Sequence, residues 1–189
     1  MFLNFDKMTV VIQWGIVIGA SLVAAVSDLH SRRIPNILTF PVLISGLIWA
    51  GWIGGLSGIA NSIIACLWLG LPFLLLFIFA GGGAGDAKLM GAIGAWLGLS
   101  QGTVILVCVM IAGIIFSLCK ATINKKLKIV LTNVFISVYT VIIFVLNHRT
   151  KQLVINRDVS IAEADALTIP YGTAIFAGVC VGGTLILNK

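Results

Sequence analysis

The sequence predicts an all-α protein, a polytopic membrane helix bundle with six transmembrane helices and a seventh left open. Hydrophobic residues make up 60% of the 189 residues and charged residues only 10%, whereas a soluble domain carries about 25% charged residues. The apolar runs are continuous, and several are long enough to cross about 30 Å of hydrocarbon as helices. We therefore expect residues 1–189 to form a single membrane-embedded domain.

Turn residues and charges divide these runs into six helices. Glycine-rich or polar turns are expected at 54–58 and 99–102, and a glycine-rich loop begins at residue 81. The predicted helices cover residues 8–27, 36–53, 59–80, 86–98, 103–119 and 173–187.

Basic residues predict the orientation in the membrane. The formal net charge is +6, and the Lys and Arg residues cluster at helix ends. Arg32 and Arg33 follow the first helix, Lys88 follows the third, and four lysines follow the fifth. Because positive residues mark cytoplasmic loops, this end faces the cytoplasm and the N-terminus lies outside. Membrane topology explains the basic charge, so we expect lipid contact in the plasma (inner) membrane and no nucleic-acid partner.

The apolar stretch 129–146 has two interpretations. Thr132, Asn133, Ser137 and Thr140 interrupt it. If it spans, seven helices are present and Arg157 lies outside; if it lies along the interface, the bundle has six spans. The positive-inside rule favours the second reading, in which 120–168 is a cytoplasmic segment with an interfacial helix.

Two acidic residues stand at helix ends within the core of the chain, Asp28 and Asp86. Two crossings separate them, so both carboxylates return to the same face. An ionisable group at membrane depth is a functional candidate. Two close carboxylates share a proton, so that one activates water and the other protonates a carbonyl or an amine. The alternatives without a catalytic role are that Asp86 caps the N-terminus of its helix and that Asp28 is a solvated residue at a helix end, paired with Arg32 or Arg33.

The segment before Asp86 is rich in glycine. Gly83 and Gly85 permit close backbone approach, which makes them candidates for substrate contact together with Lys88. A plain flexible turn and a topology anchor are the alternatives. The helix 86–98 is about 20 Å long at 1.5 Å per residue, short for a full span. Either this helix extends into the following turn, or its start lies below the membrane surface, in a dip that water can enter.

We expect neither a metal site nor a cofactor. The four cysteines lie inside apolar runs and form no CxxC pair. His30 has no second His or Cys nearby that would suggest a metal site.

Two motifs resemble those of the type IV prepilin peptidases. Residues 27–36, Ser-Asp-Leu-His-Ser-Arg-Arg-Ile-Pro-Asn, resemble the family's first aspartate motif, and residues 83–89, Gly-Ala-Gly-Asp-Ala-Lys-Leu, resemble its GxGD motif. Residues 94–98 continue the likeness, and Ile169-Pro170-Tyr171-Gly172 looks like the start of the family's last helix. Both aspartate motifs, in this order and at these helix ends, form a specific pattern.

The resemblance implies a function. It implies an aspartic endopeptidase that removes the leader from prepilins at the cytoplasmic membrane face, with Asp28 and Asp86 catalytic. Longer members also methylate the new N-terminus and carry a segment with paired cysteines, which is not found here. The closer likeness is therefore the small, peptidase-only type, and archaeal preflagellin peptidases share the two-aspartate plan.

The alternative is a non-enzymatic membrane protein, either a small transporter or an assembly scaffold. A transporter is expected to place ionisable groups near the midplane and to contain a repeat. The charges here lie at one face, and no internal repeat is visible.

Overall fold

The computed structural model describes residues 2–80, 83–123 and 171–188. They form four helices: α1 (Phe2–Ser31), α2 (Asn36–Ala80), α3 (Ala84–Ile123) and α4 (Tyr171–Leu187). No strand occurs in these ranges, in agreement with the predicted all-α class. The stretch 129–146 and the predicted segment 120–168 beyond Ile123 lie outside the described residues.

Three of the helices are long and apolar enough to cross a membrane. The candidate spans are Met8–Ser31, Asn36–Ile78 and Ala84–Cys119, with mean hydropathies of 2.1, 2.2 and 2.6. Helix α4 is shorter, at 17 residues. Large apolar side chains point outward from α2, among them Trp52 and Leu56 at 87% and 86% exposure. Exposed apolar surface of this kind fits contact with lipid.

Helices α2 and α3 are each broken at one glycine. Gly55 (φ 57°, ψ −143°) and Gly98 (φ 70°, ψ −179°) have non-helical dihedral angles. A positive φ is strained for residues with a side chain, which explains glycine at both breaks. The arms are residues 36–54 and 56–80 in α2, and 84–97 and 99–123 in α3.

The chain reverses at the first break. Eight residues of straight helix span about 12 Å, yet a Cβ atom placed on Gly58 would overlap the Ala50 carbonyl oxygen. The predicted turn at 54–58 is therefore present, but only Gly55 leaves the helical conformation. The predicted turn at 99–102 was wrong, because those residues are helical and Gly98 alone makes the break.

The first arm of α3 lies at the centre of the core. Leu89, Met90 and Ile93 are fully buried there. Small residues let this arm approach α2 closely: a Cβ atom on Gly94 would lie 2.5 Å from the Ala65 carbonyl oxygen. The buried Ser62 hydroxyl adds a hydrogen bond of 2.6 Å to the Ala95 carbonyl. The second arm of α2 and the first arm of α3 thus pack backbone against backbone.

Helix α4 packs against α1 and the second arm of α3. A Cβ atom on Gly178 would lie 2.5 Å from Val109 Cα, and one on Gly183 would lie 3.0 Å from Trp14 Cζ3. Gly183 near the end of α4 thus meets Trp14 in the first half of α1, so the two helices are antiparallel. This packing fixes the position of the first turn of α4.

The chain divides into two compact units, Met1–Gly113 with Pro170–Lys189, and Ile114–Ile169. The features discussed below all belong to the first unit, which contains α1, α2, α4 and α3 as far as Gly113.

Candidate active site

Asp28 lies in the last turn of α1. The predicted end of this helix at Ser27 was wrong, because α1 continues to Ser31. It ends there because Arg32 adopts a left-handed conformation (φ 51°) and donates its amide to the Asp28 carbonyl at 2.8 Å. The Ser27 hydroxyl then donates to the Arg33 carbonyl at 3.0 Å. This compact connection keeps Asp28 on a regular helix with its side chain only 8% exposed.

Asp86 lies in the first turn of α3. The helix starts at Ala84, two residues before the predicted start, and the Asp86 amide donates to the Gly83 carbonyl at 3.2 Å. The Asp86 carboxylate lies close to Gly83, since a Cβ atom on Gly83 would lie 2.7 Å from Asp86 Oδ2. Asp86 is 8% exposed, the same as Asp28. A carboxylate at a helix N-terminus is stabilised by the helix dipole.

The two aspartates line a single cavity of about 310 Å³. They are close enough for their carboxyl charges to repel each other. The cavity is also lined by three basic residues, Arg32, Arg33 and Lys88. The rest of its lining lies near the starts of α2 and α3: Ile34, Asn36, Gly83, Ala84 and Gly85. The expectation that two crossings return both carboxylates to one face therefore agrees with the structure.

Gly85 lets the start of α3 lie in close contact with the connection between α1 and α2. A Cβ atom on Gly85 would lie 2.8 Å from Ile34 Cβ and 3.2 Å from the Ile34 carbonyl oxygen. Real Cβ atoms essentially never approach a neighbour as closely as 2.8 Å. The glycine thus allows the start of α3 to lie directly on the α1–α2 connection, which sets the spacing between the segments that carry Asp86 and Asp28.

Lys88 links the starts of α3 and α2. Its Nζ donates to Asn36 Oδ1 at 2.8 Å and lies 5.4 Å from the centre of the Phe40 ring. The side chain is exposed at the rim of the cavity. Lys88 therefore supports the geometry of the site and adds positive charge beside the two carboxyl groups.

The first turn of α4 is part of the site, although the sequence marked it only as the start of a helix. The Gly172 amide donates to Asp28 Oδ2 at 2.8 Å. Asp28 is thus held by a distant backbone group rather than exposed to solvent beside Arg32 or Arg33. The Tyr171 hydroxyl lies within electrostatic reach of Asp86. The Pro-Tyr-Gly sequence before the last apolar run was the only signal that could have indicated this.

The arrangement suits general acid–base chemistry on a substrate that enters from the cavity. Two carboxyl groups that share a proton can act as acid and base in one step. Among the described residues, no group of three or more His, Cys, Asp or Glu side chains comes together, and His30 is exposed in the last turn of α1.

A second cavity, of about 150 Å³, lies near the two helix breaks. Its lining includes Gln13, Trp49, Asn61 and Ser62, and none of its described lining residues is acidic or basic. Of these two cavities, the aspartate cavity is therefore the one lined by ionisable side chains.

Known proteins share this part of the chain. The model of the type IV leader peptidase family matches residues 15–118, which include both aspartates. A prepilin leader peptidase/N-methyltransferase of Aeromonas salmonicida (strain A449) is 35% identical over 98 residues, which cover 48% of this chain and 33% of the relative. One of the same name from Aeromonas hydrophila is 34% identical over 93 residues, 46% of this chain and 32% of the relative.

The alignment spans about a third of the length of these curated relatives. No solved structure matches the chain. The family match covers more than half of the chain and contains both motifs on which the resemblance rested. The chain therefore belongs to the type IV leader peptidase family.

Proposed function

We propose that this protein is a membrane aspartic endopeptidase that cleaves the leader peptide from type IV prepilins or prepilin-like proteins. The single observation that carries the proposal is the meeting of Asp28 and Asp86, from two different helices, at one cavity. Family membership and the names of the Aeromonas relatives support the substrate class. A non-enzymatic scaffold would leave this buried pair of like charges without a function, and a transporter is expected to place such groups near the midplane rather than at one end of the bundle.

The mechanism uses both carboxyl groups of one singly protonated pair. The ionised carboxylate takes a proton from water as the water oxygen bonds to the scissile carbonyl carbon, and the protonated partner donates to the carbonyl oxygen. When the intermediate collapses, the carbon–nitrogen bond breaks and the carboxyl group that took the water proton passes it to the leaving amine. The other carboxylate takes a proton from a hydroxyl of the intermediate as the carbonyl re-forms. The pair returns to its starting state with one proton, and water is the only co-reactant.

The depth of the site supports water access. The first arm of α3, residues 84–97, is about 20 Å long at 1.5 Å per residue, shorter than the hydrocarbon layer. In this proposal its start lies below the membrane surface, where loop backbone requires a water-filled or protein-lined cavity. The cavity between the loops meets that requirement.

Contacts of α4 support six spans. Gly113 in α3 lies against the Tyr171 ring, since a Cβ atom on Gly113 would lie 3.9 Å from Tyr171 Cε1. Tyr171 is next to Gly172, which is bonded to Asp28. Residues 113 and 171 are thus at the same end of the bundle, as the six-span proposal expects. A single crossing by 129–146 would place them at opposite ends.

The cavity end faces the cytoplasm in this proposal. Arg32, Arg33 and Lys88 all lie at this end, and basic residues are concentrated on the cytoplasmic side of membrane proteins. The protein would then be a multi-pass protein of the plasma membrane, with lipid around the helices and the prepilin as its partner.

The first prediction concerns the two aspartates. Asp28→Asn and Asp86→Asn should each reduce leader removal by about 10²–10⁴-fold, because each removes one half of the acid–base pair. The assay is co-expression with a candidate prepilin and a gel shift for leader loss. The unfolding temperature of Asp86→Asn in detergent should equal or exceed that of the wild type, because a buried like charge is removed.

Ser62→Ala is the matched control for this prediction. It removes a buried hydroxyl that lines the other cavity and bonds Ala95. It should lower stability by about 1 kcal/mol and leave cleavage intact. Full cleavage by either Asp→Asn variant would refute the proposed catalytic pair.

The second prediction concerns the glycine between the loops. Gly85→Val should reduce cleavage by about 100-fold, because the new side chain would push α3 away from Ile34 and displace Asp86. The matched control is Gly54→Val, since a Cβ atom on Gly54 meets nothing within 4 Å. Gly55 is a poorer control because its φ is positive. Rates are compared at equal membrane levels, and equal residual activity in the two variants would contradict the prediction.

The third prediction concerns topology. In a background with the four native cysteines replaced by alanine, a membrane-impermeant thiol reagent should label Ser57→Cys in intact cells. It should label Ser31→Cys and Arg157→Cys only after permeabilisation. Ser31 and Ser57 are both exposed, at opposite ends of the bundle. Labelling of Arg157→Cys from outside would mean that 129–146 spans, and the reverse pattern at Ser31 and Ser57 would invert the orientation.

A further inference from the structure

The first turn of α4 contacts Asp28 directly. Gly172 is the second residue of α4, and amides in the first turn of a helix have no acceptor within that helix. The Gly172 amide instead donates to Asp28 Oδ2 at 2.8 Å in a buried bond that joins positions 144 residues apart.

We propose that Gly172 is a positioning residue of the active site, whose backbone amide orients the Asp28 carboxylate for catalysis. The proposal rests on the proposed peptidase function. Because the amide occupies Oδ2, the other carboxylate oxygen is the one that reaches water or substrate in the cavity. The orientation of Asp28 then depends on α4 rather than on its own helix alone.

Glycine is required at this position by space. A Cβ atom on residue 172 would lie 2.9 Å from Asp28 Cβ, 3.1 Å from Asp28 Oδ2 and 3.2 Å from the Ala24 carbonyl oxygen. Two of these three contacts are with atoms held rigidly by α1. Any side chain at 172 would therefore separate the two helices and lengthen the bond from the amide to Asp28.

Helix α4 cannot slide to relieve such a contact. Gly178 and Gly183 pack closely against Val109 and Trp14, respectively, and at Gly178 the distance leaves no room for a further atom. Hydrogen-bond donors that are fixed before the reaction cost no reorganisation when charge shifts during it. Close packing along the whole of α4 thus keeps the Gly172 amide in place.

The test compares Gly172→Ala with Gly19→Ala. Gly19 lies on α1, the helix that carries Asp28, and a Cβ atom there would meet nothing within 4 Å. In a quantitative prepilin cleavage assay, Gly172→Ala should lower kcat by about 10–100-fold with KM within about twofold. Gly19→Ala should leave kcat within about twofold, so an equal loss in the two variants would overturn the proposal.

A simple loss of folded enzyme would also lower the apparent kcat at unchanged KM. Rates are therefore expressed per folded molecule, with the folded fraction of each variant taken from its unfolding curve in detergent. A kcat per folded Gly172→Ala molecule equal to that of the wild type would contradict the proposal.

Hydrogen exchange tests the bond from the Gly172 amide to Asp28 even if Gly172→Ala fails to fold. The Gly172 amide should exchange slowly in the wild-type protein and at least about tenfold faster in Asp28→Ala, since no acceptor within α4 can replace the carboxylate. Equal exchange in the two proteins would overturn the proposal. If the wild type fails to cleave any prepilin, the proposed function fails, whereas the exchange measurement still tests the contact itself.

Discussion

The structure depends on holding two carboxyl groups of like charge together at one end of an apolar bundle. Asp28 and Asp86 are each only 8% exposed and close enough to repel each other. Such a pair is costly, because both burial and repulsion disfavour the charged forms. The surrounding backbone offsets this cost: Asp28 accepts the amide of Gly172, and Asp86 lies in the first turn of its own helix, where the dipole favours a negative charge.

Glycines make this arrangement possible because, without a side chain, they allow neighbouring segments to approach the backbone directly. Gly85 lies on Ile34 and Gly172 lies on Asp28, each at a distance that leaves no room for a Cβ atom. Deeper in the bundle, Gly94 approaches the backbone of α2 in the same way. In a membrane, where lipid is as apolar as the core, close packing of this kind supplies much of the association between helices. The same small residues that hold the bundle together therefore set the geometry of the proposed active site.

Much of this was predictable from local sequence. The length of the apolar runs predicted an all-α membrane bundle, and the two aspartate motifs identified the residues that meet at the cavity. Helix ends were harder, because they depend on single residues: the left-handed conformation of Arg32 ends α1 only after Asp28, at Ser31, and Gly98 alone breaks α3. The contact between Gly172 and Asp28 could not be predicted, since it depends on the packing of α4 against distant parts of the chain.

The central claim is that Asp28 and Asp86 work as a single catalytic unit, and the most direct test is a double-mutant cycle on the rate of leader removal. Residues that act as a unit are strongly non-additive, so removing both should cost little more than removing one. We predict that Asp28→Asn, Asp86→Asn and the double variant have residual rates within about threefold of one another. A double variant whose loss is the product of two partial single losses would show that the carboxyl groups act independently and would contradict the account.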